Sequence, residues 1–219
     1  MSDISVPLSL SGIPVFTCIP MPGLPGVPQH FVDRVLSMGR SEQLGEENIM
    51  PGGRHPSYLD RDVTINGVTQ KSKITAKYAL GQEWEQWVRD NITDRYFDTG
   101  ARITIFNDRA TTGPHVDRPG KLRLFYLVDP GGPNVETVWY IRPGESVLFD
   151  TDAWFSKHGY TYSDNNVDEL IELDRKKLPL NQWVVFNGYI RHGVLNQQGC
   201  RMFLDIALTP DNVQFTLEK

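Results

Sequence analysis

Two histidines and one aspartate stand in this chain where they could grip a single metal ion. His115-Val116-Asp117 is answered far downstream by His192, and nine positions after that by Arg201. On an extended strand, residues two apart point to the same side. His115 and Asp117 can therefore offer an imidazole nitrogen and a carboxylate oxygen to one ion. His192 must then reach that ion from another strand. Two histidines and a carboxylate on one face of a first-row metal form a 2-His-1-carboxylate facial triad, which leaves the opposite face open for chemistry.

The His-x-Asp pair alone decides little. With five histidines and 27 acidic residues in 219 positions, one such pair is close to chance, and only His115 has it. A surface turn, Thr111-Thr112-Gly113-Pro114, leading into a hydrogen-bonded histidine would explain the triplet. A satisfied core histidine would explain His192. For Arg201 the competing explanation is a structural salt bridge: by the two-residue period it shares a face with Phe203 and Asp205, and Asp205 could be its partner.

The elements that must position these residues begin near Ala101, where the chain turns to short strands. They are Arg102 to Phe106, Lys121 to Val128, Glu136 to Ile141, Ser146 to Asp150, Val184 to Phe186, Gly193 to Asn196 and Arg201 to Leu208. Turn residues punctuate them at Arg118-Pro119-Gly120, Pro130-Gly131-Gly132-Pro133, Arg142-Pro143-Gly144 and Gln197-Gln198-Gly199. Short strands at this spacing predict a sandwich or barrel rather than a parallel α/β sheet. Residues 151–180 read as an insertion among them. Within Leu122 to Val128, the faces Arg123, Phe125, Leu127 and Leu122, Leu124, Tyr126, Val128 alternate. One must line the barrel, and the pattern leaves open which.

Upstream, Pro7, Pro14, Pro20, Pro22, Pro25 and Pro28 exclude a helix and predict an extended arm. Phe31, Val32, Val35 and Leu36 have helical spacing, with Gly39 as the expected stop. Arg40 to Asp62 reads as a long loop bordering the site. Asn66-Gly67 between Val63-Thr64-Ile65 and Val68-Thr69 predicts a hairpin. A second helix is expected over roughly Gln82 to Arg95, with Trp84, Trp87, Val88 and Ile92 on its apolar side.

At this length the chain reads as one domain: an arm and supporting helices over residues 1–100, then a β core over 101–210. The net charge of −5 argues against general nucleic-acid binding. No apolar run is long enough for a membrane span, and the N-terminus lacks the features of a signal peptide. Cys18 and Cys200 form neither a zinc pattern nor a disulfide framework, so a reducing, cytoplasmic setting is expected.

Gly113-Pro114-His115-Val116-Asp117, then Leu124-Phe125-Tyr126-Leu127, then Gly131-Gly132 with Thr137 following, resembles the 2-oxoglutarate/Fe(II)-dependent dioxygenases, and within them the prolyl-hydroxylase-like branch. Pro179 to Phe186 leading into Arg191-His192-Gly193-Val194, and the turn at Gly199 into Arg201, are similar to that family's distal histidine and final strand. The likeness covers roughly Arg102 to Leu208. It implies a mainly β, double-stranded β-helix (a cupin-like jelly roll) flanked by N-terminal helices. It implies Fe(II) held by His115, Asp117 and His192, and 2-oxoglutarate anchored by Arg201, with Tyr126, Arg123 and Thr137 as further candidates for that co-substrate. The implied reaction uses O₂ to hydroxylate a C–H bond of a peptide or small molecule and releases succinate and CO₂. A facial-triad oxygenase that needs no 2-oxo acid, and a non-enzymatic jelly-roll binding module, are the competing readings.

Overall fold

A computed structural model of the chain describes residues 4–9, 17–43, 54–57, 62–65, 67–71, 75–104, 112–117, 122–143, 166–209 and 213–218. The leading elements are β1 (Ile4–Ser9), β2 (Cys18–Pro20), α1 (Gln29–Gln43), β3 (Arg54–Ser57), β4 (Asp62–Ile65), β5 (Val68–Lys71), β6 (Thr75–Tyr78) and α2 (Gln82–Asn91). The strands that follow are β7 (Tyr96–Thr104), β8 (Thr112–His115), β9 (Leu122–Asp129), β10 (Glu136–Ile141), β11 (Ile171–Lys176), β12 (Trp183–Asn187), β13 (Arg191–Leu195), β14 (Arg201–Leu208) and β15 (Val213–Glu218).

The strands β7 to β14 form two facing sheets. One contains the order β12-β9-β14-β7, extended at its ends by β2, β6 and β3; the other runs β11-β10-β13-β8. The chain changes sheet at every step from β7 to β14 except the β10–β11 link. That winding is a double-stranded β-helix, a jelly roll.

The two faces of the larger sheet answer the question the alternation of β9 left open. Leu122, Leu124, Tyr126 and Val128 lie with Ala101, Ile103, Leu204, Ile206, Trp183 and Val185 in the cluster that also contains Phe31, Val35, Trp84 and Val88 of the two helices. That face is therefore covered by α1 and α2. Phe125 and Leu127 pack instead with Trp139, Val184 and Phe186, between the sheets. Each aromatic or branched side chain buried this way stabilises the fold by about 1.5–3 kcal/mol, so the helix layer holds the sheet rigid behind the site.

Several elements depart from expectation for identifiable reasons. The helix α1 does not stop at Gly39 but runs on to Gln43. A Cβ at Gly39 would collide with the Met202 side chain, so this glycine serves close approach of helix to sheet rather than termination. The segment Arg40 to Asp62 is not wholly loop, since it includes the end of α1 and β3, which pairs with β6. Within the described part of the proline-rich arm, β2 joins β12 as an edge strand, a position that tolerates proline because one ladder side needs no N–H. The expected insertion over 151–180 contains β11, the edge strand of the smaller sheet, paired with β10. Ile171-Glu172-Leu173-Asp174-Arg175-Lys176 alternates apolar and charged residues over only its first four positions, and neither face is buried. The expected strand Ser146 to Asp150 lies outside the described residues. The β4–β5 hairpin forms around Gly67.

Candidate metal centre

The triad is assembled by strand pairing. On β13 and β8, the edge pair of the smaller sheet, His192 and His115 are direct cross-strand partners. Their rings stand 4.4 Å apart between centroids. Asp117 follows two residues beyond His115, and its backbone N–H donates to Gly188 O at 3.0 Å, tying it to the turn before β13. Asp117 Oδ1 is 3.7 Å from His115 Nε2, and Asp117 Oδ2 is 3.9 Å from His192 Nε2. One ligand atom from each residue lies within 4.8 Å of the others. Cis ligands about 2.1 Å from an ion sit about 3 Å apart, so the three groups need only small side-chain adjustments to close on one cation.

Protonation states suit that task. His192 Nδ1 is 2.9 Å from Ile190 O. A carbonyl can only accept, so Nδ1 carries the proton and Nε2 presents its lone pair toward Asp117. Burial first, and then neighbouring His115, push the His192 pKa down to about 4 against the pull of Asp117, so the ring is neutral at pH 7. Desolvation resists ionisation of Asp117, but His192, Arg123, His115 and Arg102 outweigh it and hold the carboxyl below its ordinary value. Phe186 meets the His192 ring edge-on at 4.6 Å and walls that side of the site.

Arg201 opens β14 on the inner face of the larger sheet. It is 6% exposed, and its Nη2 donates to the Thr137 hydroxyl at 3.0 Å. Among the described residues no carboxylate pairs with it, and its Nε is buried without an acceptor. Burial accordingly draws its pKa down to about 10. A guanidinium placed like this is a receptor for an anion. The turn before it is held by the β9–β10 turn. Gln198 and Gly199 N–H groups both donate to Gly131 O at 2.8 Å. Gly131 has φ +77°, and a Cβ there would fall 2.6 Å from Gly199 O and 3.2 Å from Arg201 N.

Asp205 is not the partner of Arg201. The Arg123 fork takes it instead: Arg123 Nε donates to Oδ1 at 2.8 Å and Nη2 to Oδ2, while Arg102 Nε also donates to Oδ2. Asp205 is fully buried and Arg123 nearly so. Arg123 therefore lies on the inner face but is engaged with Asp205 rather than open to a ligand. Tyr126 points away: it sits under the helices against Trp183, at 5.2 Å between ring centroids. Its expected role in holding a co-substrate is corrected by the pleat, which sends even-numbered residues of β9 outward. Thr137 is on the inner face beside Arg201.

The Arg102–Asp205–Arg123 cluster and the aromatic lining of Phe125, Phe186 and Phe203 were not assigned from the sequence. A signal existed. Arg123 and Asp205 are lone, opposite charges in two otherwise apolar stretches, and such charges need a partner once buried.

No family model matches the chain, and no curated protein matches it. Among solved structures it is similar to a prolyl-4-hydroxylase of Pseudomonas putida, with TM-score 0.45 and 11% identity, over 88% of this chain and 92% of that one. The strand winding is that of a double-stranded β-helix, and His115, Asp117 and His192 form a two-histidine, one-carboxylate cluster that could hold a metal ion.

Proposed function

We propose that this protein is an Fe(II)- and 2-oxoglutarate-dependent dioxygenase that hydroxylates a C–H bond of a peptide or small molecule. The observation that carries the reading is Arg201, a buried guanidinium with one hydroxyl partner, Thr137, and no carboxylate among the described residues. A buried cation without a counter-ion costs several kcal/mol, and a ligand carboxylate removes that cost. His115, Asp117 and His192 would hold the iron, Arg201 and Thr137 the distal carboxylate of 2-oxoglutarate. Iron so loaded supplies the oxidation by O₂ of a substrate C–H bond, coupled to conversion of 2-oxoglutarate to succinate and CO₂.

The chain itself supplies geometry and exclusion of water. Ile190 O orients His192, the Gly188 carbonyl positions Asp117, and Phe186 shields the histidine. No described helix is long and apolar enough to cross a membrane. Cys18 and Cys200 are buried thiols outside any disulfide, which accords with a cytoplasmic setting.

Anaerobic addition of Fe(II) and 2-oxoglutarate tests this reading. A weak visible charge-transfer band should appear with both present and with neither alone. Iron binding without the band would favour an oxygenase that uses no 2-oxo acid. Absence of iron binding would favour a non-enzymatic module.

A further inference from the structure

Arg102 lies on the inner face of β7, 18% exposed, and is anchored by one end only. Its Nε donates to Asp205, whose two oxygens the Arg123 fork already engages. Both Nη groups of Arg102 lack a protein hydrogen-bond partner among the described residues, yet neither is sealed from solvent. A guanidinium held by Nε with its terminal edge open presents two parallel N–H donors, the fork that matches a carboxylate.

Along the same inner face an aromatic run leads from Arg102's strand partner to the triad histidine. Phe203 is the direct cross-strand partner of Arg102 and is partly exposed. Its ring lies 4.7 Å from Phe125, Phe125 lies 4.6 Å from Phe186, and Phe186 lies 4.6 Å from His192. Strands stand about 4.8 Å apart, so this run spans roughly 10 Å across β14, β9 and β12, with Phe125 and Phe186 buried beneath and Phe203 partly exposed. On the other side Arg102 faces Lys77, its partner on β6, which is paired with Asp98. Burial and then the charge of Arg102 bring Lys77 down to about 8, a mark of the positive field on this side of the site.

We propose that Arg102 reads a carboxylate on the molecule to be oxidised, whose apolar skeleton lies against the partly exposed Phe203 with a C–H bond at the triad. The primary substrate is then a small carboxylic acid with an apolar body several carbons long. This rests on the oxygenase reading above. It is distinct from the Arg201 site, because the two guanidiniums serve two different anions.

The test uses the full chain loaded with Zn(II), a redox-silent stand-in, and saturated with 2-oxoglutarate. Ligand-observed NMR then compares 3-phenylpropionate with its neutral amide, 3-phenylpropanamide. The acid should bind at least roughly tenfold more tightly, the cost of one lost charged hydrogen-bond pair. Arg102→Gln should erase the difference, and Arg102→Lys should restore part of it. Equal binding of acid and amide, no binding of the acid at millimolar concentration, or an acid preference that survives Arg102→Gln would each overturn the proposal. If Arg102→Gln fails to fold, the wild-type comparison and Arg102→Lys still decide. Binding of 2-oxoglutarate, measured before the probe is added, tests the underlying reading separately. Should it fail, the same comparison on the zinc form, with Arg201→Ala to remove the other guanidinium, still reads Arg102.

Discussion

Replacing Asp205 by Asn removes the carboxylate that the Arg123 fork engages inside the barrel. Asp205 is fully buried and Arg123 is 2% exposed, so water cannot take over. Burial alone would raise the Asp205 pKa, but Arg102 and Arg123 bring it from 3.8 down to about 2. At 1.36 kcal/mol per pKa unit, that difference is about 2–3 kcal/mol of stability. Breaking a buried pair by removing one partner costs about 3–5 kcal/mol, a compatible figure. For a chain of this size each kcal/mol moves the melting temperature by about 2–4 °C, so Asp205→Asn should melt roughly 5–15 °C below wild type at pH 7. The pH dependence has a definite sign. A carboxyl whose folded pKa is depressed contributes fully above its unfolded pKa and loses that contribution as pH falls through the folded value. The wild-type advantage should therefore be complete above about pH 5 and shrink toward pH 2. Urea unfolding of both proteins across this range measures it. A gap that stays constant down to pH 2, or a variant as stable as wild type at pH 7, would refute the reasoning.

Other expectations follow from the same geometry. Thr137→Val removes the hydroxyl that orients Arg201 and should raise the 2-oxoglutarate dissociation constant roughly tenfold by calorimetry, with iron affinity retained. Gly131→Ala places a Cβ against Gly199 O at positive φ; it should cost about 1–3 kcal/mol in denaturant unfolding and weaken 2-oxoglutarate binding through the displaced Arg201 turn. Alanine at His115, Asp117 or His192 should sharply lower iron affinity while circular dichroism stays native, and three variants that all bind iron normally would remove the triad assignment.

The parts of the fold legible in the sequence were those with a local signal. Apolar spacing marked α1 and α2, turn residues marked most of the barrel strands, and His115-Val116-Asp117 marked the start of the site. The β11 strand has only a four-residue alternation, Ile171 to Asp174, inside a charged stretch, too short a signal to mark a strand. Gly39 has the local look of a helix stop, since sequence cannot show that Met202 lies across it. The partner of Arg201 was ambiguous for a related reason. Sharing a face with Asp205 on one strand is a local fact, whereas the Arg123 fork that captures Asp205 comes from the neighbouring strand β9. Which face of β9 turns inward likewise depended on where the helices pack. Charge pairing across strands and the choice of inner face are tertiary properties, and the second determines both the loss of Tyr126 from the site and the aromatic run beside it.

On the proposed function, the buried Arg201 receives the distal carboxylate of a 2-oxo acid bound at the triad. Titration of 2-oxoglutarate into iron-loaded wild type and Arg201→Ala, without oxygen, tests it most directly. Removing one partner of a buried charge pair costs about 3–5 kcal/mol, so affinity should fall by roughly a hundredfold or more. Iron affinity should hold, because Arg201 is not a ligand. Arg201→Lys should recover only part of the binding, since an ammonium cannot reproduce the fork. An unchanged dissociation constant for Arg201→Ala would contradict the account.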